Sequence, residues 1–215
     1  MNDIEIVPTL FDYELSDKTD LSLTVTMQQA EFLMLYFTHS PLFNWADSNN
    51  GCEARSDAAC ILLEAWHVPH YKGWAFSGQF LKNHFGGLKQ NWNYHVAPLL
   101  PVKENGLVSF YMIDPATSSS LQTLDAWAAG ITAYAHSYHL IKNPEWYIFS
   151  DKKITRDNWN KRNGQNRKWM LQGLAGVNSL EPRGKAALVF NKNRIGNKVV
   201  QLRRITREKI ALPGR

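Results

Sequence analysis

Apolar and polar positions change rhythm several times along the chain, and each change predicts an element. The first twenty residues read as an irregular arm with a short strand at "IEIV", and "LSLTVT" (21–26) alternates like a strand. Thr26 followed by Gln29 is a capping-box pair that opens a helix through "MQQAEFLMLYFTH", with Phe32, Leu35 and Tyr36 on its core face. "SPLFNWADSNNG" is turn-rich, and from Gly51 the spacing of Ala54, Ala58, Ile61, Leu62 and Ala65 predicts a second helix with a buried stripe. "YKGWAFSG" (71–78) reads as a strand and "NHFGGLKQNW" as an exposed loop. "YHVAPLLPV" and "VSFYMIDP" read as paired strands, the second ended by Pro115 and "ATSSS". A helix follows over Leu121–His139, with Leu124, Trp127, Ala128, Ile131, Tyr134 and Ala135 on one face, and then "EWYIFS" (145–150) as a closing strand.

Beyond Asp151 the pattern predicts a helix in "DNWNKRNGQNRKWMLQGLAG" that brings Trp159, Asn166, Trp169 and Met170 together. "KAALVF" and "KVVQLRRI" read as a basic hairpin around "NKNRIGN". No internal repeat or low-complexity tract interrupts these elements.

Composition changes the picture little: 215 residues, 44% hydrophobic and 20% charged, are ordinary globular material with room for a sizeable core. The longest apolar run, "EFLMLYF", is too short to span a bilayer, and "MNDIEIVPTLFDYELSDKTD" lacks the pattern of a signal peptide. Two cysteines eight positions apart make a poor disulfide framework, so a reduced compartment is expected.

Charge divides the chain. Residues 1–150 carry 7 Lys/Arg and 15 Asp/Glu, a net of −8, whereas residues 151–215 carry 17 Lys/Arg and 4 Asp/Glu, a net of +13. The basic part is either a solvated face or a lobe for an acidic partner, an anionic membrane or nucleic acid. The domain plan that follows is an arm and helix over 1–40, a core over 41–150 and a basic extension over 151–215.

The candidate chemistry lies in "NNGCEARSDAACILLEAW". Cys52 stands at the predicted helix start, where unpaired N–H groups and the positive dipole end favour a thiolate nucleophile. Gly51 lets the backbone turn tightly before it. Cys60 falls in the apolar stripe and reads as inert core. A cysteine nucleophile needs a histidine and an orienting group, and His95 and Asp114 are the downstream candidates, each at a strand position. Trp74 and Trp92 are candidate cleft walls, and Arg55 is either a site residue or an exposed helix arginine. His67, His70, His84, His136 and His139 show no metal-ligand spacing, so neither a metal nor a cofactor is expected.

"NGCEARSDAACILLEAW", "YKGWAFSG", "NWNYHVAPLL" and "MIDPA" together resemble the bacterial protein-glutaminases, or protein-glutamine deamidases, over roughly residues 43–150. That family carries Gly-Cys-x-Ala-Arg at a helix start, a Trp-x-Tyr-His-Val strand and an Ile-Asp-Pro strand end. The resemblance implies an α+β fold with a papain/transglutaminase-like core, its nucleophile at a helix N-terminus packed on an antiparallel sheet. It implies Cys52 as nucleophile, His95 as base and Asp114 as the orienting carboxylate of an enzyme that converts protein-bound glutamine to glutamate with release of ammonia. An oxyanion would fall to the backbone N–H of Cys52 beside Gly51, with the segment 91–94 as a second source. No cofactor is implied. The basic extension and the scarcity of cysteine depart from the secreted members.

The expected setting is a bacterial effector or toxin, made in the cytoplasm and delivered by a secretion system. Its partners would be a glutamine-bearing protein substrate, an inhibitory or immunity protein, and an acidic partner for the basic lobe. The alternatives are a cysteine protease or transglutaminase-like acyltransferase with the same triad, and a nucleic-acid-binding protein acting through residues 151–215.

Overall fold

The structure is a computed structural model, and it describes residues 23–45, 51–76, 94–131, 138–142, 144, 166–177 and 185–214. Helix α1 (Met27–His39) opens on the expected capping box. Thr26 Oγ1 accepts from the Gln29 N–H at 3.2 Å, and Gln29 Oε1 accepts from the Thr26 N–H at 3.1 Å. Its buried face is Ala30, Leu33, Met34 and Phe37, not Phe32, Leu35 and Tyr36. Leu35 is exposed, while Phe32 and Tyr36 are half-buried at the margin of the core. "EFLMLYF" is apolar nearly all round, so periodicity admits two faces and tertiary packing selects one.

Helix α2 (Cys52–Ala65) buries Ala54, Ala58, Ile61 and Leu62 as predicted, whereas Ala65 is only half-buried. Five strands follow: β1 (Tyr71–Phe76), β2 (Tyr94–Glu104), β3 (Leu107–Met112), β4 (Gln122–Thr123) and β5 (Tyr138–Lys142). They form one antiparallel sheet in the order β4-β3-β2-β1-β5. β2 and β3 are the predicted pair, joined at Glu104↔Leu107 through Asn105 and Gly106. Both turn residues have left-handed φ, 50° and 82°, the conformation that a two-residue Asn-Gly hairpin requires.

Three predicted elements need correction. Val25 makes a single parallel bridge to Val102 in place of a strand over 21–26, of which 21–22 lie outside the described residues. The helix expected over Leu121–His139 is α3 (Leu124–Ile131), and Tyr138–Lys142 is β5, paired with β1; residues 132–137 lie outside the described ones, as does "EWYIFS". Within the stretch predicted as helical after Asp151, the described residues 166–174 are helical as expected and form α4, while Trp159 is not among the described residues. The basic hairpin is instead one helix of 23 residues, α5 (Lys185–Arg207). Ile195, Val199, Leu202 and Ile205 recur at 3.6-residue spacing along it, and this period overrides the turn chemistry of "NKNRIGN".

The sheet separates two cores. On one face α1, α2, α4 and α5 pack against Leu100 and Val102 of β2, with Met170, Leu171, Leu174, Leu202, Ile205 and Leu212 sharing the interior of α1 and α2. On the other face α3 covers Tyr71, Ala75, Ala97, Leu99 and Met112. Adjacent residues of β2 therefore serve opposite layers. Two contacts fix α2 in place. Lys72 of β1, almost fully buried, meets Asp57 of α2 with Nζ–Oδ1 at 2.7 Å. Gly173 of α4 lies so close to the first turn of α2 that a Cβ there would stand 2.6 Å from the Ala54 Cβ.

Candidate active site

Cys52 is the first residue of α2 and Gly51 is its N-cap. Gly51 has φ +91°, left-handed backbone that glycine enters without a Cβ penalty, and as N-cap it offers the first-turn N–H groups no side-chain hydrogen bond. The Cys52 side chain is 7% exposed and packs with Trp74 of β1 and Val96 of β2, beside Phe76 and Tyr94. Sγ donates to Glu53 Oε2 at 3.4 Å, and Glu53 Oε1 accepts from the Tyr94 hydroxyl.

These neighbours overturn one expectation. Burial raises the Cys52 thiol well above its ordinary value, and the Glu53 charge and hydrogen bond raise it further. Arg55 and the backbone N–H of Val96 pull it down without prevailing. A helix terminus is worth roughly 0.3–2 kcal/mol to an anion, less than burial beside a carboxylate costs. The surroundings of Cys52 therefore favour the thiol over the thiolate.

His95 directly precedes Val96 on β2, which places it one residue from the backbone that meets the sulfur. Its ring turns to the α3 face, 5.7 Å from the Trp127 ring, and Nε2 lies 2.8 Å from Asp114 Oδ2. The β2–β3 register ends at Leu99↔Met112, but the Ile113 N–H still donates to the Pro98 carbonyl at 2.9 Å, which carries the chain along β2 and brings Asp114 beside His95. Both groups are 2% exposed.

The hydrogen bonds around Asp114 then fix the tautomer. Oδ2 of Asp114 also accepts from Thr117 Oγ1 at 2.6 Å and from Trp127 Nε1 at 2.9 Å. The indole is a donor only, so Asp114 must accept and His95 Nε2 must donate. Burial alone would raise the Asp114 carboxyl, but the charge of His95 and hydrogen bonds from His95, Thr117 and Trp127 outweigh it and hold the pKa below the usual range. With Nε2 turned to Asp114, Nδ1 is the ring nitrogen on the other side.

Cys52, at the α2 N-terminus after Gly51, meets Trp74 and Val96 on one face of the sheet, while His95 pairs with Asp114 on the α3 face, one strand position from Val96. Trp74 is fully buried, as part of the packing around the sulfur. Arg55 is 6% exposed, with Nη1 donating to the Asn44 carbonyl at 3.4 Å and its guanidinium 5.8 Å from the Trp45 ring centroid, so the exposed-arginine alternative does not hold. Trp92 lies outside the described residues. Sequence reasoning missed Glu53, Tyr94, Thr117 and Trp127. Thr117, three residues after the Asp of an Asp-Pro pair, is legible as a turn hydroxyl; Trp127 reads from sequence only as an apolar face position. Among the described residues no group of His, Cys, Asp and Glu is placed to hold a metal ion, and no helix is long and apolar enough to cross a membrane.

Glu53→Gln keeps the acceptor of the thiol hydrogen bond and deletes the charge. The Cys52 pKa should fall toward its ordinary value, moving the pH profile of iodoacetamide labelling to lower pH. While the thiol is mostly protonated at pH 8, lowering its pKa by one increases the thiolate, and with it the labelling rate, by about tenfold. A profile unchanged from wild type would show that Glu53 does not control the thiol.

A family profile described as glutaminase matches residues 22–131, about half of the chain. The chain is similar to the NMR structure of protein-glutaminase from Chryseobacterium proteolyticum, with 18% identity, 77% of this chain and 97% of that chain covered, and a TM-score of 0.49. Against a crystal structure of a mutant pro-protein-glutaminase the identity is also 18%, the coverage 74% and 63%, and the TM-score 0.52, a likeness of fold. No curated protein sequence matches the chain significantly. The profile, spanning α1 through α3 and with them Cys52, His95 and Asp114, settles the kinship: the chain belongs to the protein-glutaminase family.

Proposed function

We propose that the chain hydrolyses the side-chain amide of glutamine in protein substrates, with Cys52 as nucleophile, His95 as base and acid, and Asp114 as the carboxylate that orients His95. The supporting observation is the meeting of the α2 N-terminus with the one strand that carries His95, already paired to a buried carboxylate. This reading takes the papain/transglutaminase-like plan, with 41–150 as the catalytic part.

His95 Nδ1 takes the Sγ proton as sulfur bonds to the carboxamide carbon. The carbonyl π pair moves onto oxygen, where the first-turn N–H groups of α2, left without a side-chain cap by Gly51, stabilise the oxyanion. The intermediate collapses with cleavage of C–N. The imidazolium returns its proton to nitrogen, so ammonia leaves and a thioester to Cys52 remains. His95 then deprotonates a water that attacks the thioester carbon, and cleavage of C–S restores the thiol and releases glutamate. Throughout, Asp114 accepts from Nε2–H and offsets the imidazolium charge.

We place this reaction in an effector or toxin setting, because unrestrained deamidation would damage the proteins of the producing cell. Incubating the enzyme with glutamine-rich protein substrates should release ammonia and add about 1 Da per modified site, from NH2 replaced by OH. Peptide-bond cleavage, or cross-linking to an added amine, without glutamate formation would transfer the assignment to a protease or an acyltransferase.

A further inference from the structure

Behind the first turn of α2 lies a cleft of about 390 Å³, bounded by the α2 N-terminal turn, the Asn44 loop, the end of α4 and the middle of α5. Arg55, Arg194 and Lys198 contribute three cations to its lining, and Asn44, Asn197 and Gln201 three amide side chains. Among the described residues none of the lining groups is a carboxylate. Most basic side chains of a protein point outward into water, where their charges are screened. These three converge instead. Arg55 is almost fully buried, and Arg194 packs so closely on Gly176 that a Cβ there would lie 2.8 Å from its guanidinium. Lys198 is half-buried, and Nζ donates to the Pro41 and Leu42 carbonyls at 3.1 and 2.7 Å.

Those two carbonyls solvate the ammonium without neutralising it. The cost of assembling the cations also registers on Lys198, whose ammonium burial and the nearby Arg194 charge push to a lower pKa. α5 itself, Lys185–Arg207, contains no Asp or Glu. A forked guanidinium pair with an ammonium and several amide donors is the chemistry that holds phosphate oxygens, which accept several charge-assisted hydrogen bonds at once.

We propose that this cleft is a binding site for a phosphate-bearing anion, held by Arg55, Arg194 and Lys198, which locks α4 and α5 onto the first turn of the Cys52 helix. The site is separate from the reacting atoms, and the proposal stands whether or not Cys52 hydrolyses glutamine. Its ligand is either a free phosphorylated metabolite or a phosphorylated lipid headgroup.

The test uses the full chain and pyrophosphate as the probe, with calorimetric titration and thermal melting at constant ionic strength. Saturable one-to-one binding and a raised Tm are expected in wild type. Arg194→Gln and Lys198→Gln should each weaken binding at least tenfold, and Lys192→Gln, an exposed charge on the same helix, should change it less than twofold. Equal losses in all three variants, or no saturable binding to wild type, would overturn the site. Hydrogen–deuterium exchange on wild type keeps the test open if a variant fails to fold. Pyrophosphate should protect 173–176 and 194–201, and protection that spares both segments overturns the proposal. With pyrophosphate binding established, phosphatidic acid vesicles that bind more tightly than pyrophosphate and are weakened by Arg194→Gln would identify a lipid headgroup; vesicles that do not bind would identify a free phosphate compound.

Discussion

Cys52→Ala is expected to lower ammonia release by about 10⁴-fold or more, the scale on which covalent catalysis disappears when a nucleophile is removed. Deleting one sulfur from a small buried side chain costs roughly 1 kcal/mol of stability, so the variant should melt close to wild type. Cys52→Ser sharpens the result. Its hydroxyl is far harder to deprotonate than the thiol, so Ser should fail although the shape is kept. Cys60 provides the internal control. It is buried in the core face of α2, and its thiol is pushed up to about 12 by burial. Cys60→Ala should therefore retain activity within about threefold, the range for a residue remote from the chemistry. Steady-state ammonia release and melting curves of the three variants decide the matter. Full activity in Cys52→Ala would remove the proposed mechanism altogether.

What the residues disclose on their own depends on whether one local rule acts alone. The Thr26–Gln29 cap and the β2–β3 pair rest on short-range chemistry with no strong competitor, and the structure reproduces both. The placing of Cys52 at a helix start follows from "NNG" before a helical stripe. Misreadings arise where two rules meet. "NKNRIGN" has the residues of a turn, yet it sits within a sustained helical period that buries Leu202 and Ile205. "EFLMLYF" has too many apolar residues to disclose which ones face the sheet. The electrostatics are the least legible part. A free helix end favours thiolate, but the burial that reverses this for Cys52 comes from Trp74 and Val96 on two strands, and no local pattern contains it. The cluster around Asp114 is equally non-local, since its indole donor arrives from α3.

Asp114 carries the second large effect, and two substitutions separate its roles. Asp114→Asn preserves size and an acceptor oxygen, so Trp127, Thr117 and His95 Nε2 can still donate to it. What disappears is the negative charge that stabilises the imidazolium, and turnover should fall by about 10²- to 10⁴-fold. Asp114→Ala removes the acceptor as well. Three donors then lose it, the His95 ring and Trp127 indole buried and the Thr117 hydroxyl half-buried, at roughly 1–3 kcal/mol for each buried donor that finds no replacement, so this variant should show a lowered Tm in addition to lost turnover. The acid limb of stability supplies an independent reading. Because the folded pKa of Asp114 lies below its ordinary value of 3.8, the carboxylate stabilises the native state above that value. That contribution is lost as pH falls through the lower, folded pKa. Asp114→Asn should flatten this part of the stability–pH curve while the region near neutrality keeps its shape. If turnover survived in Asp114→Asn while acid stability alone changed, Asp114 would be a structural acceptor and His95 would act without its carboxylate.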